Sequence, residues 1–195
     1  MNLHIESKRL IIRNFQKDDW EDVASWCTDA KTMHYIPIGV LTPQEVKEIV
    51  SESQDEETEC YAIYEKNLAR VIGEIIYHPW YNPLTWELGW IIHPHFQKQG
   101  YASEAAQAVL AYGFQSQKLH RIIATCQPDN PPSWKVAEKI GMKREGHFRK
   151  CIPKDNSIWW DEYFYAILEE DFTFPSDAPS PVGIDRKSTR LNSSH

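Results

Sequence analysis

A helix rich in small residues, set between two short apolar strands, most constrains how this chain can fold. Within Tyr101–Gln117 the apolar residues begin at Ala102 and recur at alternating steps of three and one. This spacing places them on one stripe of an α-helix. Thr85–His93 precedes the helix and Arg121–Cys126 follows it, and both segments have the apolar, β-branched character of strands. A strand–helix–strand crossover makes its two strands parallel, with a right-handed connection.

The remaining segments predict an α/β fold in which helices cover both faces of a mixed (α+β) sheet. Further strands are predicted at Leu3–Phe15, Cys60–Tyr64, Val71–Tyr77, Lys143–Ile152 and Ser157–Leu168, and further helices at Asp18–Asp29, Thr42–Ser53 and Pro131–Ile140. Thr42 and Glu45 have the spacing of a capping box, with Pro43 at the first helical position. The order β-α-α-β-β-β-α-β-α-β-β therefore predicts an open, mostly antiparallel central sheet with one parallel pair at the crossover.

The length of 195 residues allows one domain of ordinary size, which we place at residues 1–172. Residues 173–184 contain several prolines and are predicted to form a loose tail. Residues 185–195 match, one by one, the translation of a common sequencing-library adapter, and we exclude them from the fold. They contain one Asp, two Arg and one Lys, a charge of +2, so the formal net charge of −7 becomes −9 without them.

Charge and composition exclude several classes of function. A chain this acidic is a poor ligand for nucleic-acid phosphates and favours a cationic small molecule or a basic peptide. No apolar run is long enough to cross a bilayer, and Met1–Leu10 lacks the apolar region of a signal peptide. We therefore expect a cytoplasmic protein with no nucleic-acid or membrane partner. The cysteines (Cys27, Cys60, Cys126 and Cys151) form no CxxC pair and lack metal-ligand spacing to histidine, which predicts reduced thiols and no metal site.

The loop before the central helix, Gln97-Lys98-Gln99-Gly100-Tyr101-Ala102, has the features of an anion site. Gly100 permits a tight turn close to a ligand. The free N–H groups of the first helical turn and the positive end of the helix dipole suit a pyrophosphate, with charge from Lys98 and a hydroxyl from Ser103. Taken alone, the hexapeptide also fits an ordinary strand–helix loop. The GxGxxG fingerprint and the Walker motif are absent.

Four further motifs follow in a consistent order: Glu87-Leu-Gly-Trp-Ile-Ile-His-Pro94, Asn130-Pro-Pro-Ser133 continuing to Met142, Arg144-Glu-Gly146, and Trp160-Asp161 continuing to Leu168. Together with the loop, they resemble the GNAT family of acyl-CoA N-acetyltransferases, and within it the RimJ/RimL-like subgroup. The resemblance extends from about Ser7 to Phe172. That subgroup acetylates the N-terminal amines of ribosomal proteins, and its relatives acetylate other amines.

The resemblance implies acetyl-CoA as co-substrate, bound where the two parallel strands splay apart, and no metal. Its pyrophosphate would lie on the loop before the helix, and its pantetheine arm would run beside the preceding strand. The implied cofactor-binding residues are Ile91, Ile92, Gln97, Lys98, Gln99, Gly100, Tyr101, Ala102, Ser103 and Asn130. Asn130 also fits a simple turn residue before a helix.

The reaction needs a base, because a free amine with a pKa near 10 is mostly ammonium at neutral pH. The resemblance implies Glu87 as this base, although the position also suits a surface carboxylate. His93 is a rival base with a naturally suitable pKa, or a structural histidine. Many family members protonate the leaving thiolate with a Tyr where this chain has Ala137. The resemblance therefore implies Ser133 for that role, with an ordinary first-turn residue as the alternative.

Acceptor binding is implied for Glu145, Asp161 and Trp86. The two carboxylates would hold a cationic acceptor or instead orient the last strands through hydrogen bonds. Trp80 and Trp159 could also line the acceptor cleft, although any one Trp could simply pack in the core. The expected acceptor is a small-molecule amine or a protein N-terminus, and the family contains both monomers and homodimers. The alternative function is a non-catalytic acyl-CoA-binding sensor on the same fold.

Overall fold

The computed structural model describes residues 2–55, 57–154 and 157–174, so the predicted adapter segment and all but the first two residues of the predicted tail lie outside the described residues. The described chain forms one sheet of eight strands in the order β1-β2-β3-β4-β5-β6-β8-β7. The strands are β1 (His4–Glu6), β2 (Leu10–Arg13), β3 (Cys60–Glu65), β4 (Arg70–Asn82), β5 (Thr85–Ile92), β6 (Arg121–Cys126), β7 (Lys143–Pro153) and β8 (Trp159–Leu168). The α-helices are α1 (Trp20–Cys27), α2 (Pro43–Glu52), α3 (Tyr101–Gln115) and α4 (Pro131–Lys139).

The prediction of one long first strand over Leu3–Phe15 is wrong, because the chain reverses within it. β1 and β2 pair antiparallel around a turn in which the Ser7 N–H donates to the Leu10 carbonyl at 2.9 Å. The Ser7 hydroxyl oxygen also accepts from the Leu10 N–H at 3.2 Å. Alternation of side chains continues on both sides of such a turn, so the pattern alone did not reveal the reversal.

The predicted helix starts are only partly correct. The Thr42 hydroxyl accepts from the Glu45 N–H at 3.3 Å and the Glu45 carboxylate accepts from the Thr42 N–H at 2.7 Å, which confirms the capping box of α2. By contrast, the helix predicted over Asp18–Asp29 is an α-helix only from Trp20 to Cys27, and a short 3-10 turn at Lys17–Asp19 precedes it. Among the described residues, no helix is long and apolar enough to cross a membrane.

The two faces of the sheet carry different helices. The stripe of α3 packs against alternate residues of the central strands, including Leu88, Ile122 and Tyr165, which are fully buried. On the opposite face, α1 and α2 cover a smaller cluster that includes Trp26, Val46 and Ile91. Adjacent strand residues point to opposite faces. The neighbours Leu88 and Glu87 therefore point to different sides of the sheet.

Close packing of β4 against β5 depends on Gly73 of β4. A Cβ at this position would lie 2.2 Å from the main-chain oxygen of Ile91 on β5. The pairing of β3 with β4 shifts register beside this glycine, as at a β-bulge. Gly73 therefore allows β4 to approach the last residues of β5, where it pairs with Ile92.

The predicted parallel pair is β5 with β6, the one parallel pairing among the described strands, and it is short. It joins Thr85–Glu87 to Arg121–Ile123, and the two strands then diverge. We call the opening between residues 88–92 and residues 124–126 the β5–β6 gap. The gap opens towards the carboxyl end of β5, which continues into the loop before α3. On the other side of the gap, β6 is followed in the sheet by β8 and β7.

Candidate active site

The loop between β5 and α3 adopts the conformation that an anion site requires. Gly100 has φ +83° at the N-cap of α3, and Lys98 also lies in the left-handed region at φ +61°. No side chain caps the helix, and the first helical hydrogen bond runs from the Glu104 N–H to the Gly100 carbonyl at 3.0 Å. The N–H groups of Tyr101, Ala102 and Ser103 precede that bond and remain outside the helical ladder. They are available to a phosphate group.

Arg9, which the sequence analysis missed, fixes this loop from the N-terminal segment. Its Nε atom lies 2.6 Å from the Glu104 carboxylate, and its Nη1 atom donates to the Gln99 carbonyl at 3.1 Å. Its guanidinium also lies 4.1 Å from the centre of the Tyr101 ring. The Arg9 N–H and the Ser7 hydroxyl donate to the same carboxylate at 2.7 and 2.8 Å. Arg9 thus places a positive charge beside the loop and attaches the loop to the N-terminal segment.

The electrostatics of Glu104 follow from these contacts. Burial raises the pKa of its carboxyl, but the Arg9 N–H, the Ser7 hydroxyl and the Arg9 guanidinium together outweigh burial and leave that pKa below its ordinary value. Glu104 therefore stays ionised at neutral pH and its charge is paired with Arg9. The first turn of α3 keeps its attraction for an anion because this carboxylate is already neutralised.

The main chain of β5 can pair with an extended ligand inside the gap. The His93 N–H donates to the Ile72 carbonyl at 2.9 Å, and in an antiparallel ladder alternate residues bond to the same neighbour. By this alternation the N–H and C=O groups of Ile91 face β4, whereas those of Trp90 and Ile92 face the gap. The Gln97 side chain already donates to the Ile92 carbonyl at 3.0 Å.

Glu87 lies at the point where the gap opens, on the face covered by α1 and α2. Its carboxylate accepts from the Thr125 hydroxyl of β6 at 3.1 Å and lies 3.8 Å from Nε2 of His78 on β4. His78 Nδ1 lies 2.9 Å from the Pro79 carbonyl, so Nδ1 carries a hydrogen and Nε2 faces the carboxylate. About a fifth of the Glu87 side chain is exposed, at 22%. Glu87 is thus held in place yet reachable.

Ser133 and Asn130 lie on the opposite side of the gap, at the start of α4. The Ser133 hydroxyl hydrogen-bonds to the buried Cys126 thiol at the end of β6. Burial raises the pKa of the Cys126 thiol to about 12, so Cys126 remains a neutral thiol. No hydrogen bond to the Asn130 side-chain amide occurs among the described residues, which leaves that amide available. Ala137, which belongs to α4, is buried in the core.

His93 is poorly placed to act as a base. Its Nδ1 atom accepts from the His95 N–H at 3.1 Å, so the remaining hydrogen of the neutral ring is on Nε2. The ring packs edge-on against Trp26 at 6.1 Å and is buried. Burial lowers the pKa of His93. These contacts indicate a structural role at the start of the turn Pro94–Phe96.

The three residues predicted to bind the acceptor are not brought together. Trp86 points to the α3 face, packs on the Tyr77 ring at 4.6 Å, and so lies on the opposite side of the sheet from Glu87. Glu145 forms an ion pair with Arg121 at the start of β6. Asp161 accepts from the Lys150 N–H at 2.8 Å and lies 2.7 Å from His147 Nε2. Both carboxylates therefore link neighbouring parts of the last strands in this structure.

An aromatic cavity lies beside these last strands. It has a volume of about 210 Å³ and lies between the turn Thr32–Tyr35, the residues that follow β6, the middle of β7 and the start of β8. The Tyr35 and Trp160 rings are 5.8 Å apart, and Trp159 and Asp161 also line the cavity. Trp80 instead packs on Phe164 at 5.3 Å, on the same sheet face as Thr125, the register partner of Phe164. Trp80 thus lies on the same face of the sheet as Glu87, Trp159 lines the cavity, and Trp86 lies on the opposite face from Glu87.

Thr125, His78 and Glu162 are functional candidates that sequence reasoning missed. Each faces Glu87 only because of strand register, since His78 is its partner on β4 and Thr125 follows its partner Ile123 on β6 by two residues. Arg9 was missed for a related reason, as its contacts lie about 90 residues away in the chain. Period-two alternation could have shown that each side chain shares a face with its own strand neighbours. Alternation could not have shown which strands lie side by side.

Comparison with known proteins agrees with this geometry. Residues 9–143 match the family described as acetyltransferase (GNAT) domain. The uncharacterized N-acetyltransferase YnaD of Bacillus subtilis (strain 168) is 49% identical over 170 residues, which cover 87% of this chain and 99% of YnaD. The crystal structure of a GNAT-family acetyltransferase from Bacillus anthracis superimposes with a TM-score of 0.83 at 47% identity, over 86% of this chain and 99% of that one.

A more distant likeness concerns the fold alone. A spermidine N-acetyltransferase from Vibrio cholerae, solved in complex with CoA and spermine, has a TM-score of 0.72 at 21% identity, over 85% of this chain and 98% of that one. The predicted fold class, a mixed sheet covered by helices on both faces with one parallel pair that splays apart, is confirmed. In the described part of the chain, no group of three His, Cys, Asp or Glu side chains could hold a metal ion. The chain therefore belongs to the GNAT family of acetyltransferases, enzymes that take the acetyl group from acetyl-CoA.

Proposed function

We propose that this protein transfers the acetyl group of acetyl-CoA to a primary amine by direct attack of the amine on the thioester. The observation that carries the proposal is the arrangement around the β5–β6 gap. An uncapped helix N-terminus lies at one end of the gap, Glu87 lies on one face of the sheet, and Ser133 lies beyond the other face. A thioester held in the gap would thus meet a base on one side and a hydroxyl donor on the other.

Binding would use main-chain groups at both ends of the gap. The N–H groups of Tyr101–Ser103 and the charge of Lys98 suit the pyrophosphate, and the outward-facing groups of Trp90 and Ile92 suit the pantetheine amides. The Gln97 amide would release the Ile92 carbonyl to the ligand. The free Asn130 amide lies at the start of α4, beside the same ligand path. Acetyl-CoA, once bound, supplies the acetyl group and a thiolate leaving group.

The protein's own groups would then move two protons. Glu87 accepts a proton from the acceptor ammonium, directly or through a water molecule, and leaves a neutral amine. The amine nitrogen bonds to the carbonyl carbon as the carbon–sulfur bond breaks, and the electron pair of that bond stays on sulfur. The nitrogen then loses its second proton to solvent and becomes the neutral amide nitrogen. Ser133 donates its hydroxyl proton to the sulfur and recovers one from solvent, and Glu87 returns its proton to solvent. The products are the N-acetylated amine and CoA.

A positively charged acceptor fits the charge of the site. Glu87 and Glu162 lie together on the acceptor side of the gap, and Tyr35, Trp159 and Trp160 offer aromatic faces nearby. Aromatic faces and carboxylates suit a polyamine or a protein N-terminus followed by short side chains. The motif around Asn130 and Ser133 supports placing the enzyme in the RimJ/RimL-like subgroup. A cytoplasmic location, and a monomeric or homodimeric state, stay predictions.

Calorimetry with acetyl-CoA, followed by a CoA-release assay, tests the proposal. The acceptor panel should contain polyamines, amino acids, aminoglycosides and peptides with free N-termini, each beside its N-acetylated form as a matched control. We expect binding at micromolar concentrations and CoA release with at least one free amine. Failure to bind at millimolar concentration would overturn the proposal. Binding without release on any amine would favour the non-catalytic sensor.

A further inference from the structure

Arg9 has hydrogen-bond donors that the protein itself does not use. An arginine side chain carries five N–H groups in one plane, one on Nε and two on each of Nη1 and Nη2. The Nε group of Arg9 donates to the Glu104 carboxylate at 2.6 Å, and Nη1 donates to the Gln99 carbonyl at 3.1 Å. Nη2 makes no hydrogen bond within the described part of the chain, and the side chain is 32% exposed. Both N–H groups of Nη2 are therefore available to a ligand.

These unused donors lie beside the glycine of the phosphate loop. Nη2 is 3.6 Å from the position that a Cβ atom would take on Gly100, and apart from the residues next to Gly100 it is the nearest group of the described chain to that position. The peptide group that follows Gly100 carries the Tyr101 N–H, the first of the free main-chain donors of α3. The side-chain donors and the first main-chain donor thus adjoin the same glycine.

The orientation of the guanidinium is fixed before any ligand binds. The Arg9 N–H and Nε donate to different oxygens of the Glu104 carboxylate, at 2.7 and 2.6 Å. The guanidinium carbon lies 4.1 Å from the centre of the buried Tyr101 ring. A side chain that is already ordered loses less conformational entropy when it binds a ligand. Arg9 therefore presents its free donors in one defined direction.

A planar pair of N–H groups of this kind suits a phosphate, because guanidinium and phosphate oxygens form parallel, charge-assisted hydrogen bonds. We propose that Arg9 binds the pyrophosphate of acetyl-CoA through Nη2, with Glu104 as the positioning residue that aims it. The inference rests on the proposed function, which places the pyrophosphate on this loop. It adds a side-chain ligand from the turn between β1 and β2, about 90 residues away in the chain.

Two other roles would also explain why Arg9 lies here. Arg9 could act only by attaching the loop to the N-terminal segment, or only by neutralising the Glu104 carboxylate near the phosphates. If attachment is the whole role, breaking the Arg9–Glu104 pair from either side should weaken acetyl-CoA binding. If neutralisation is the whole role, removing both charges together should leave binding unchanged. A direct contact predicts neither result.

Calorimetry with acetyl-CoA on Arg9→Gln, Glu104→Gln and the double variant separates these roles. We expect affinity to fall at least about 10-fold in Arg9→Gln and in the double variant, the loss typical of a hydrogen bond between charged groups. Glu104→Gln should bind as tightly as wild type or more tightly, because the charge of Arg9 is then unopposed. Wild-type affinity in the double variant, or equal losses in the two single variants, would overturn the proposal.

Two further variants control for folding and for charge. Arg9→Lys keeps a cation beside Glu104 but lacks the planar fork, so affinity should still fall while the thermal midpoint stays near wild type. This variant keeps the test valid if Arg9→Gln does not fold. Lys8→Gln removes the same charge from an exposed neighbour and should bind like wild type. Wild-type affinity in Arg9→Lys, or a loss in Lys8→Gln equal to that in Arg9→Gln, would contradict a direct contact.

A comparison of CoA with dephospho-CoA shows which phosphate Arg9 contacts, because dephospho-CoA lacks the 3′-phosphate and keeps the pyrophosphate. We expect Arg9→Gln to lose affinity for both ligands by the same factor. A loss confined to CoA would overturn the assignment to the pyrophosphate. Weaker binding in Arg9→Gln, in a protein that acetylates no amine, would refute the proposed transfer reaction alone. Acetyl transfer by the wild type with unchanged affinity in Arg9→Gln would refute this inference alone.

Discussion

The two halves of the sheet, which part after Glu87 and Ile123, are built differently. In the half formed by β1–β5, the long strand β4 buries five of its residues between Val71 and Tyr77. In the half formed by β6, β8 and β7, the outer strand β7 has no fully buried residue. The first half carries the loop that suits the cofactor phosphates, and the second half ends in the aromatic cavity.

This difference separates the half of the sheet that suits an invariant cofactor from the half that can vary with the acceptor. A nucleotide thioester is the same in every reaction of this family, so the groups that suit it are main-chain atoms held by a dense core. An acceptor differs from enzyme to enzyme, and several of the groups that we propose to meet it are side chains on an exposed hairpin. Surface positions tolerate substitution far better than buried ones. The second half is therefore where a new acceptor can be accommodated without loss of the fold.

The largest effect is expected from Glu87→Gln, which removes the base and keeps the shape. We expect kcat to fall by about 10³-fold, because general-base catalysis contributes roughly 10²–10⁴-fold. Acetyl-CoA affinity by calorimetry and the thermal midpoint should stay near wild type. An unchanged kcat would show that Glu87 is not the base.

Gly100→Glu tests the phosphate loop of the first half. The substitution places a carboxylate where the pyrophosphate is proposed to bind, at a φ that L-residues rarely adopt. We expect acetyl-CoA affinity by calorimetry to fall at least about 100-fold, or about 2.7 kcal/mol. Gly39→Glu is the matched control, since Gly39 has φ +75° with open space around it. Equal loss of affinity in the two variants would contradict our placement of the phosphates.

A pair of glycines compares the packing of the two halves directly. Gly73→Ala must push β4 away from the Ile91 oxygen, so we expect a loss of about 2–3 kcal/mol in the free energy of unfolding. Gly146→Ala in β7 would meet only ordinary contacts at 3.5 Å, and its effect should stay within about 0.5 kcal/mol. Urea denaturation of both variants gives the comparison. Equal losses would show that the halves are packed alike.

The smallest effect concerns two carboxyls with opposite pH dependence. Burial raises the pKa of Glu74 in the first half to about 7, so its unfavourable ionisation lowers stability as pH rises from about 4.5 to about 7. Glu74→Gln should therefore raise the free energy of unfolding at pH 8, by about 1–2 kcal/mol, and leave it unchanged at pH 4.

Asp161 in the second half provides the opposite case. The Lys150 N–H and then His147 hold the pKa of its carboxyl below the ordinary value. A lowered folded-state pKa stabilises the protein above the unfolded pKa, and this contribution disappears as pH falls through the folded value. Asp161→Asn should lower the thermal midpoint at pH 7, and the difference from wild type should shrink as pH falls through the folded-state pKa. A shift of the same sign in both variants would contradict the assignment.

The parts of the fold that the sequence predicted well are those set by local patterns. The stripe of α3, the capping box at Thr42 and the crossover from β5 to β6 each depend on residues close in the chain, and the structure confirms all three. The turn at Ser7 was missed because alternation continues through it. The role of Gly100 as a turn residue could be predicted because it lies between a predicted strand and a predicted helix.

The candidate site was predictable only where one segment contains it. The loop Gln97–Ser103 is one such segment, and Glu87 belongs to a motif within its own strand. The partners of Glu87 come from β4, β6 and β8, and strand order cannot be obtained from spacing within a strand. The acceptor role of Glu145 and Asp161 was implied by the family resemblance, but the positions of Arg121, His147 and the Lys150 N–H decide what these carboxylates bind in the structure.

The hydrogen bond from the Gln97 side chain to the Ile92 carbonyl has a consequence for the protein before any cofactor arrives. An unpaired strand edge is a template on which other polypeptides can add strands, and natural proteins protect such edges. β5 has an edge of this kind in the middle of its sheet rather than at the rim. A single amide from the adjoining loop pairs one carbonyl of this edge, that of Ile92, and in the proposed complex it would release this carbonyl to the pantetheine chain. The part of this edge next to the loop is therefore already paired before any cofactor binds, which makes it a poorer template for a strand from another molecule.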